Sequence, residues 1–290
     1  MSKIGAHVSA AGGVENAPQR AHQAGCEVFQ FFTRSPQGGK APELTEAIIK
    51  KFKQNCKKYG FIEYYTHAPY FINLASTNNR IRYGSISVLR QELERSSKLG
   101  VKYLMAHLGS AREVGQTKGV KMCIEGINKI LDGYKGSCQF LIEMSAGAGA
   151  IIGDEYEEIS KITKGVKKPI SVCFDTAHAF ASGYDLSSEK AVKETFQKFD
   201  KIIGIGKLKL IHANDSKVEL GSHKDRHEHI GRGKIGQIGF WAILRHPKLK
   251  KINLIIETPK ASAKSDLNNI KILKNLRESK TKPCNQRKKK

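Results

Sequence analysis

At 290 residues the chain is long enough to bury a large core, either as one barrel-sized domain or as two smaller domains. No apolar run approaches the ~20 residues that a membrane-spanning helix needs, and the N-terminus lacks the basic and apolar regions of a secretory signal. We therefore expect a cytoplasmic protein with no membrane partner. Its 50 Lys and Arg exceed its 27 Asp and Glu, giving a net charge of +23. Such a field favours a polyanionic partner such as DNA, although a generally basic surface accounts for it equally well.

Short apolar runs alternate along the chain with amphipathic stretches that carry Lys and Glu, the pattern of βα units and a parallel sheet. The eight predicted strands are Lys3–Val8, Cys26–Thr33, Glu63–Ala68, Tyr103–Leu108, Gln139–Met144, Ile170–Thr176, Leu208–Asn214 and Asn253–Thr258. The predicted helices are Glu15–Ala24, Leu44–Tyr59, Arg80–Leu99, Lys118–Gly133, Glu155–Thr163, Glu189–Asp200, Ile238–Arg245 and Ser265–Arg277. Eight of each predict an α/β fold, a (β/α)8 TIM barrel. A doubly wound open sheet is the alternative.

The composition of the chain changes at its C-terminal end. No boundary divides the preceding body, so we expect residues 1–279 to form a single barrel domain. The last eleven residues, 280–290, contain six basic and no acidic side chains and few apolar ones. This composition predicts a basic, disordered tail.

Six cysteines are spread along the sequence without a Cys-x-x-Cys pair. Their spacing is typical of reduced thiols, and it favours neither a disulfide framework nor a thiolate zinc site. A metal ion bound by this chain would therefore take imidazole and carboxylate ligands. The cysteines are Cys26, Cys56, Cys123, Cys138, Cys173 and Cys284.

The third to eighth predicted strands each end in a His, Asp or Glu. These residues follow one another at intervals of 40, 36, 32, 37 and 45 residues, which are the lengths of βα units. In a barrel the C-terminal strand ends surround one mouth, so the six side chains become neighbours there. Imidazole and carboxylate ligands suit a catalytic Zn²⁺ site and also accept Mn²⁺. The six residues are His67, His107, Glu143, Asp175, His212 and Glu257.

Further candidate ligands follow the sixth and seventh strands. His178 lies in the loop predicted after the sixth strand, and Asp225 and His227 lie in the loop after the seventh. Side chains two residues apart in an extended segment point to the same side, which groups Asp225 with His227. The same alternation applies to His223 and His229, so spacing alone does not choose among these residues.

At these residues the sequence closely resembles the endonuclease IV family of apurinic/apyrimidinic (AP) endonucleases, from about Ser2 to Arg277. The matching motifs are Ile4-Gly5-Ala6-His7-Val8-Ser9, His67-Ala68-Pro69-Tyr70, Cys173-Phe174-Asp175-Thr176-Ala177-His178-Ala179-Phe180, Asp225-Arg226-His227 and Ile256-Glu257-Thr258. The resemblance implies a zinc-dependent DNA repair endonuclease. Such an enzyme hydrolyses the phosphodiester 5′ to an abasic site in double-stranded DNA and leaves a 3′-hydroxyl and a 5′-deoxyribose phosphate. We expect it to act as a monomer.

Carried over position by position, the resemblance implies three zinc ions and resolves the loop in favour of Asp225 and His227. The first ion would be held by His67, His107 and Glu143, the second by Glu143, Asp175, His212 and Glu257, and the third by His178, Asp225 and His227. Glu143 and Glu257 are the expected catalytic residues. Glu143 would bridge two ions, and Glu257 would orient or deprotonate the attacking water.

The resemblance also implies DNA contacts at the mouth of the barrel. Tyr70 matches a residue that the family places in the DNA at the lesion, although by itself it reads as a surface aromatic residue. The segment from Thr33 to Gly39 matches a DNA-intercalating loop, in which Gln37 stands where an Arg is common. We expect Arg34 to share the DNA-binding role.

Two other functions compete with this interpretation. A metal-dependent sugar isomerase of the xylose isomerase-like kind uses a similar barrel, but its sites typically hold two metals. The added pair Asp225 and His227 and the strong positive charge favour the nuclease. A non-catalytic nucleic-acid-binding barrel is the second alternative, and the presence of a ligand at all nine matching positions argues against it.

Overall fold

The computed structural model describes residues 1–260 and 264–283. Its barrel strands are β1 (Ile4–His7), β2 (Val28–Phe31), β3 (Tyr64–His67), β4 (Tyr103–Ala106), β5 (Gln139–Glu143), β6 (Ser171–Asp175), β7 (Leu208–His212) and β10 (Asn253–Ile256). These eight parallel strands close into a barrel in the order β1-β10-β7-β6-β5-β4-β3-β2, which confirms the predicted (β/α)8 fold. Between β7 and β10, the short strands β8 (Asp215–Ser216) and β9 (His227–Glu228) form an antiparallel pair that was not predicted.

Helices cover the outside of the barrel. The eight predicted helices correspond to α1 (Ala17–Gln23), α2 (Glu46–Lys58), α3 (Asn79–Leu99), α4 (Gln116–Leu131), α5 (Tyr156–Gly165), α7 (Glu189–Ile202), α8 (Gly236–Arg245) and α9 (Ser265–Glu278). A ninth, α6 (Thr176–Ala181), follows β6 directly. Local signals set several helix ends: Asn78 caps α3 by accepting hydrogen bonds from the amides of Arg80 and Ile81, and Gly100 ends that helix with φ 80°. No helix in the described part of the chain is long and apolar enough to span a membrane.

The predicted basic tail begins at Lys280. Lys280 to Pro283 contain no helix or strand, and residues 284–290 lie outside the described residues. The division into a barrel domain and a disordered tail therefore stays a prediction.

The strands separate two apolar cores. Alternate strand residues pack outward against the helices, as Phe140 and Ile142 do, and this outer core is by far the larger. The other residues fill the barrel interior: Val28, Tyr65, Tyr103, Met105, Leu141, Cys173, Leu210 and Ile255. β1 and β2 approach each other closely at Gly5. A Cβ atom at this position would overlap the carbonyl oxygen of Val28.

Strand alternation carries the interior face up to the mouth. Because side chains two residues apart point the same way, the residue that follows the last interior core residue of a strand by two positions faces the mouth. Leu141 points into the barrel, so Glu143 points to the mouth above it, and the same relation holds for Leu210 and His212. The register aligns neighbouring strands as well, since Asp175 of β6 pairs with His212 of β7. The sequence-predicted ligands therefore gather above the barrel core.

Polar contacts join the last helix to the beginning of the barrel. Glu27 accepts a hydrogen bond from the Ile4 amide at 2.8 Å and two from the Arg277 guanidinium at 2.7 and 3.0 Å. Arg277 also donates to the carbonyl oxygen of Ser2 at 2.8 Å. These contacts tie α9 to the first two strands.

Candidate metal centre

Three groups of His, Asp and Glu side chains occupy the mouth. In each group the potential ligand atoms lie within 4.8 Å of one another. The groups are His67, His107 and Glu143; Glu143, Asp175, His212 and Glu257; and Asp175, His178 and His227. Asp225, which the family resemblance assigns to the third group, lies beside it.

Glu143 is the centre of the cluster. Its carboxylate is completely buried at the end of β5, with Oε2 2.6 Å from Nε2 of His67 and Oε1 2.8 Å from Nδ1 of His212. Nε2 of His107 lies 3.5 Å from Oε2. One carboxylate oxygen therefore faces each of the first two groups, the arrangement needed for a ligand shared by two ions.

Asp175 and His178 are joined by a helix, which corrects the predicted loop after β6. Asp175 is the N-cap of α6, and its Oδ1 accepts a hydrogen bond from the backbone N–H of His178 at 2.8 Å. Residues three apart in the first turn of a helix share a face, so cap and imidazole project into the mouth together. The helix is only six residues long, and the Asp-Thr-Ala-His sequence is its signal.

The third group is completed from the long loop after β7. Oδ1 of Asp225 lies 3.2 Å from Nε2 of His178 and 3.4 Å from Nε2 of His227, and these two ring nitrogens are 3.2 Å apart. His227 is held there by β9, which pairs with β8. The other histidines of the loop point elsewhere: His229 contacts Asn269 at 3.0 Å, and a Cβ at Gly147 would overlap Nδ1 of His223.

The electrostatics of the cluster favour ionised carboxylates. Burial would raise the pKa of Glu143, but the combined effect of His107, His212 and His67 is larger and opposite, so the pKa is well below its ordinary value. The pKa of Glu257 is also lowered despite burial, because of His212 and His7. Ionised carboxylates packed this densely need positive charge beside them. In the protein alone the imidazoles supply it, and a divalent cation satisfies the same need.

The same balance acts on the third group. Burial would raise the pKa of Asp225, but the hydrogen bond from His178 and its charge bring the pKa down to about 2. Burial would lower the pKa of His178, whereas Asp175 and Asp225 raise it to about 10. The opposite pKa shifts of the two groups indicate a carboxylate and an imidazolium in contact, and a bound cation would take the place of that imidazolium charge.

The predicted DNA contacts divide into exposed and buried residues. Tyr70 is exposed, with its ring 5.3 Å from that of Phe32, and Gln37 is exposed at the tip of the loop after β2. Arg34 is buried, which runs against the expectation that it shares the DNA-binding role. Its Nε donates to Glu92 of α3 at 2.6 Å. We therefore interpret Arg34 as an anchor of this loop.

Sequence reasoning missed two buried amides that contact the candidate ligands. Asn214 donates from Nδ2 to Oδ2 of Asp175 at 2.7 Å and accepts at Oδ1 from the backbone N–H of Glu257 at 2.7 Å. Gln30 contacts both His212 and Glu257. Asn214 had a signal, because it follows His212 by two residues and thus shares its side of the chain.

This fold and site define a barrel metalloenzyme with a His and carboxylate centre. A family model described as xylose isomerase-like TIM barrel matches residues 18–279. The probable endonuclease 4 of Halothermothrix orenii is 41% identical over 264 residues, covering 90% of this chain and 95% of the relative. That of Nitrosopumilus maritimus is 39% identical over 273 residues, covering 93% and 98%. The chain belongs to the endonuclease IV family, as its motifs predicted.

Comparison with solved structures agrees with this family assignment. Endonuclease IV from Thermus thermophilus is 31% identical with a TM-score of 0.85, covering 94% of this chain and 98% of that one. A D-tagatose 3-epimerase-like protein, 21% identical with a TM-score of 0.72 and covering 94% and 96%, shares the fold alone. The sugar isomerase alternative is thus supported by the shape of the barrel and by nothing closer.

Proposed function

We propose that this protein is a zinc-dependent AP endonuclease that hydrolyses the phosphodiester 5′ to an abasic site in double-stranded DNA, leaving a 3′-hydroxyl and a 5′-deoxyribose phosphate. The observation that carries the proposal is the convergence of nine ligand-type side chains on one mouth, in a chain of the endonuclease IV family. Cytoplasmic location, a monomeric state and the domain division accompany it as predictions.

The donor set fits metal ions. Glu143 and Asp175 are completely buried, and their hydrogen-bonding and charged contacts are imidazoles, the Asn214 side-chain amide and the backbone N–H of His178. Buried carboxylates are generally paired or bound to a metal, and Glu143 has the imidazoles of His67, His107 and His212 within 3.5 Å, more than one pairing partner. We assign one ion to each of the three groups, the first containing His67, the second His212 and the third His178, with Asp225 as a further ligand of the third. Zinc suits this set best, and Mn²⁺ is an acceptable substitute.

Bound ions would supply Lewis-acid charge that activates the attacking water and neutralises the phosphate. Glu257 is the group that would orient or deprotonate this water, because its side chain is 18% exposed at the mouth while its backbone is fixed by Asn214. Glu143 is wholly buried between two ligand groups and would hold the ions in place.

The exposed mouth residues and the charge of the chain provide the DNA contacts. A net charge of +23 attracts the phosphate backbone. Tyr70 and Gln37 are exposed on adjoining loops, and the Tyr70 amide donates to the carbonyl oxygen of Pro36 at 3.1 Å. Because an abasic nucleotide has no base to unstack, displacing it toward the mouth costs little energy.

The test is a nicking assay on duplex DNA with one abasic site, beside the same duplex without it. We expect zinc-loaded protein to nick only the first substrate and to leave a 3′ end that a DNA polymerase extends. Prolonged chelation should abolish nicking, and zinc should restore it. Absence of lesion-dependent nicking by zinc-loaded protein would refute the proposal, and ketose–aldose interconversion by that preparation would favour the isomerase.

Two histidines of one loop provide a matched pair. His227→Ala should remove one of three zinc ions and lower nicking by at least about 100-fold, as for loss of a ligand that acts directly on the reacting phosphate. His223→Asn should keep metal and activity, because His223 lies outside the ligand groups and Asn tolerates its φ of 52°. Equal behaviour of the two variants would contradict the assignment of the third group.

A further inference from the structure

Gln30 is a fully buried amide in the middle of the metal centre. It lies on β2 between Phe29 and Phe31 and follows the interior residue Val28 by two positions, so its side chain points to the mouth. Six other barrel strands present a His, Asp or Glu of the candidate metal centre there, whereas β2 presents this neutral residue.

The amide connects three side chains of the mouth. Nε2 donates to Oε1 of Glu257 at 2.6 Å and lies 2.9 Å from Nδ1 of His7. Oε1 lies 2.8 Å from Nε2 of His212. An ionised carboxylate can only accept hydrogen bonds, so the NH₂ group must face Glu257. The carbonyl oxygen then faces His212, whose Nε2 must carry a proton.

This contact selects the ligand atom of His212. Because Nε2 keeps its proton, Nδ1 is the nitrogen whose lone pair would be available to a metal ion, and Nδ1 is the atom that faces Glu143 at 2.8 Å and Glu257 at 3.3 Å. A histidine ligand generally has its second ring nitrogen held in this way, which fixes both tautomer and ring orientation.

His212 is held differently from the other four candidate histidine ligands. In those, Nε2 faces the cluster and Nδ1 contacts a backbone carbonyl or a hydroxyl: Ala68 for His67, Ser145 for His107, Met144 for His178 and Glu257 for His227. In His212 the two nitrogens exchange these roles. Nδ1 faces the cluster, and Nε2 contacts the Gln30 side chain. The three backbone supports survive any side-chain substitution, whereas the Gln30 contact does not.

We propose that Gln30 is a positioning residue of the second metal site, which fixes the Nδ1-binding tautomer of His212 and aims the Glu257 carboxylate at the attacking water. The inference rests on the metal centre of the proposed function. One amide thereby couples a ligand that holds the ion to the residue assigned to the nucleophile.

The main test is Gln30→Met, which keeps an unbranched side chain of similar volume and removes both hydrogen bonds. The loss of such an outer contact typically lowers metal affinity or activity ~10–100-fold. We expect one of three zinc ions to be released to a chelator ~10–100-fold faster than in the parent, with the other two unchanged. On abasic duplex, kcat should fall by a similar factor while KM stays within about twofold.

A second variant separates the two roles. Gln30→Glu keeps an oxygen that accepts from His212 but places a carboxylate against Glu257. Zinc retention should then match the parent while kcat falls as in Gln30→Met. Gln23→Met on the exposed end of α1 is the matched control and should leave both readouts unchanged.

The two proposals fail in different ways. Zinc release is measured without substrate, so a parent protein that does not nick DNA refutes the proposed function while leaving the Gln30 test intact. Gln30→Met with parental zinc release and kcat overturns the positioning role. Equal loss of all three ions, together with a lower midpoint of thermal unfolding, overturns it too, because that outcome indicates general destabilisation. If Gln30→Met does not fold, Gln30→Ala is measured against the same criteria.

Discussion

Arg34→Met tests how the loop after β2 is held. In the structure the guanidinium is buried, donating from Nε to Oε1 of Glu92 at 2.6 Å and from a terminal nitrogen to Gln91 at 2.9 Å. The side chain therefore faces α3. We predict that its removal destabilises the fold, because it takes the closest cation away from the completely buried Glu92 carboxylate.

The size of the effect follows from what Glu92 retains. Breaking a buried ion pair by removing one partner costs about 3–5 kcal/mol. After the change, Glu92 still accepts from Oγ1 of Thr33 at 2.6 Å and lies 3.7 Å from Nε of Arg95. We therefore expect the lower end, about 3 kcal/mol, a large share of the ~5–15 kcal/mol by which a folded protein is stable.

Urea unfolding measures this loss, and DNA affinity measured as a function of salt separates it from a phosphate contact. Each phosphate contact contributes a slope of about 0.9 to the decrease of log K with log salt. The folded Arg34→Met protein should keep the parental slope. Gln37→Ala, at the exposed tip of the same loop, should leave the free energy of unfolding within about 0.5 kcal/mol of the parent. Parental stability of Arg34→Met together with a shallower slope would refute the anchoring role.

Three further substitutions test the barrel itself. Glu27→Gln should lower the free energy of unfolding at pH 7 by about 1 kcal/mol, discounted for solvent screening of this half-buried group. Burial raises the pKa of Glu27, but Arg277 and the Ile4 amide lower it further, so it lies below its ordinary value. The stabilisation is therefore complete above the unfolded pKa of about 4.3 and is lost as pH falls through the folded pKa. The free energies of unfolding of parent and variant, measured with urea, should converge over that pH range. A difference between them that grows on acidification would contradict the pairing of Glu27 with Arg277. Gly5→Ala should cost at least about 3 kcal/mol, because the new Cβ meets the backbone of β2; a thermal midpoint close to the parent would disprove that overlap. Gly84 is exposed to solvent in the first half of α3, and a Cβ there would have nothing within 4 Å. Gly84→Ala should therefore stabilise the folded protein by roughly 0.5–1 kcal/mol and raise the thermal midpoint in the same experiment.

The barrel was predictable because its signals are local and repeated. Each strand is a short apolar run and each helix an amphipathic one, so eight units could be counted without knowing any contact. The strand-end ligands followed from the closed topology. Glu143 and Glu257 end runs of buried residues, where a carboxylate needs a partner.

The sequence did not indicate features of the structure where a partner is distant or a signal is short. Arg34 and Glu92 are 58 residues apart, so nothing near Arg34 in the sequence indicated its burial. The helix α6 spans six residues and contains one candidate ligand, His178, and its Asp175 cap was interpreted only as a metal ligand. The β8–β9 pair has two residues per strand, too few for any alternation to be detected.

Gln30 was missed for a different reason, since the strand containing it was correctly predicted. The search for ligands selected residues by their chemistry, and an amide between two phenylalanines did not qualify. Selection by direction would have found it, because Gln30 stands two residues after Val28 just as Glu143 stands two residues after Leu141. In a closed barrel the interior core thus specifies which side chains face the mouth. Residue chemistry then separates those that can bind metal from those that can only orient a ligand.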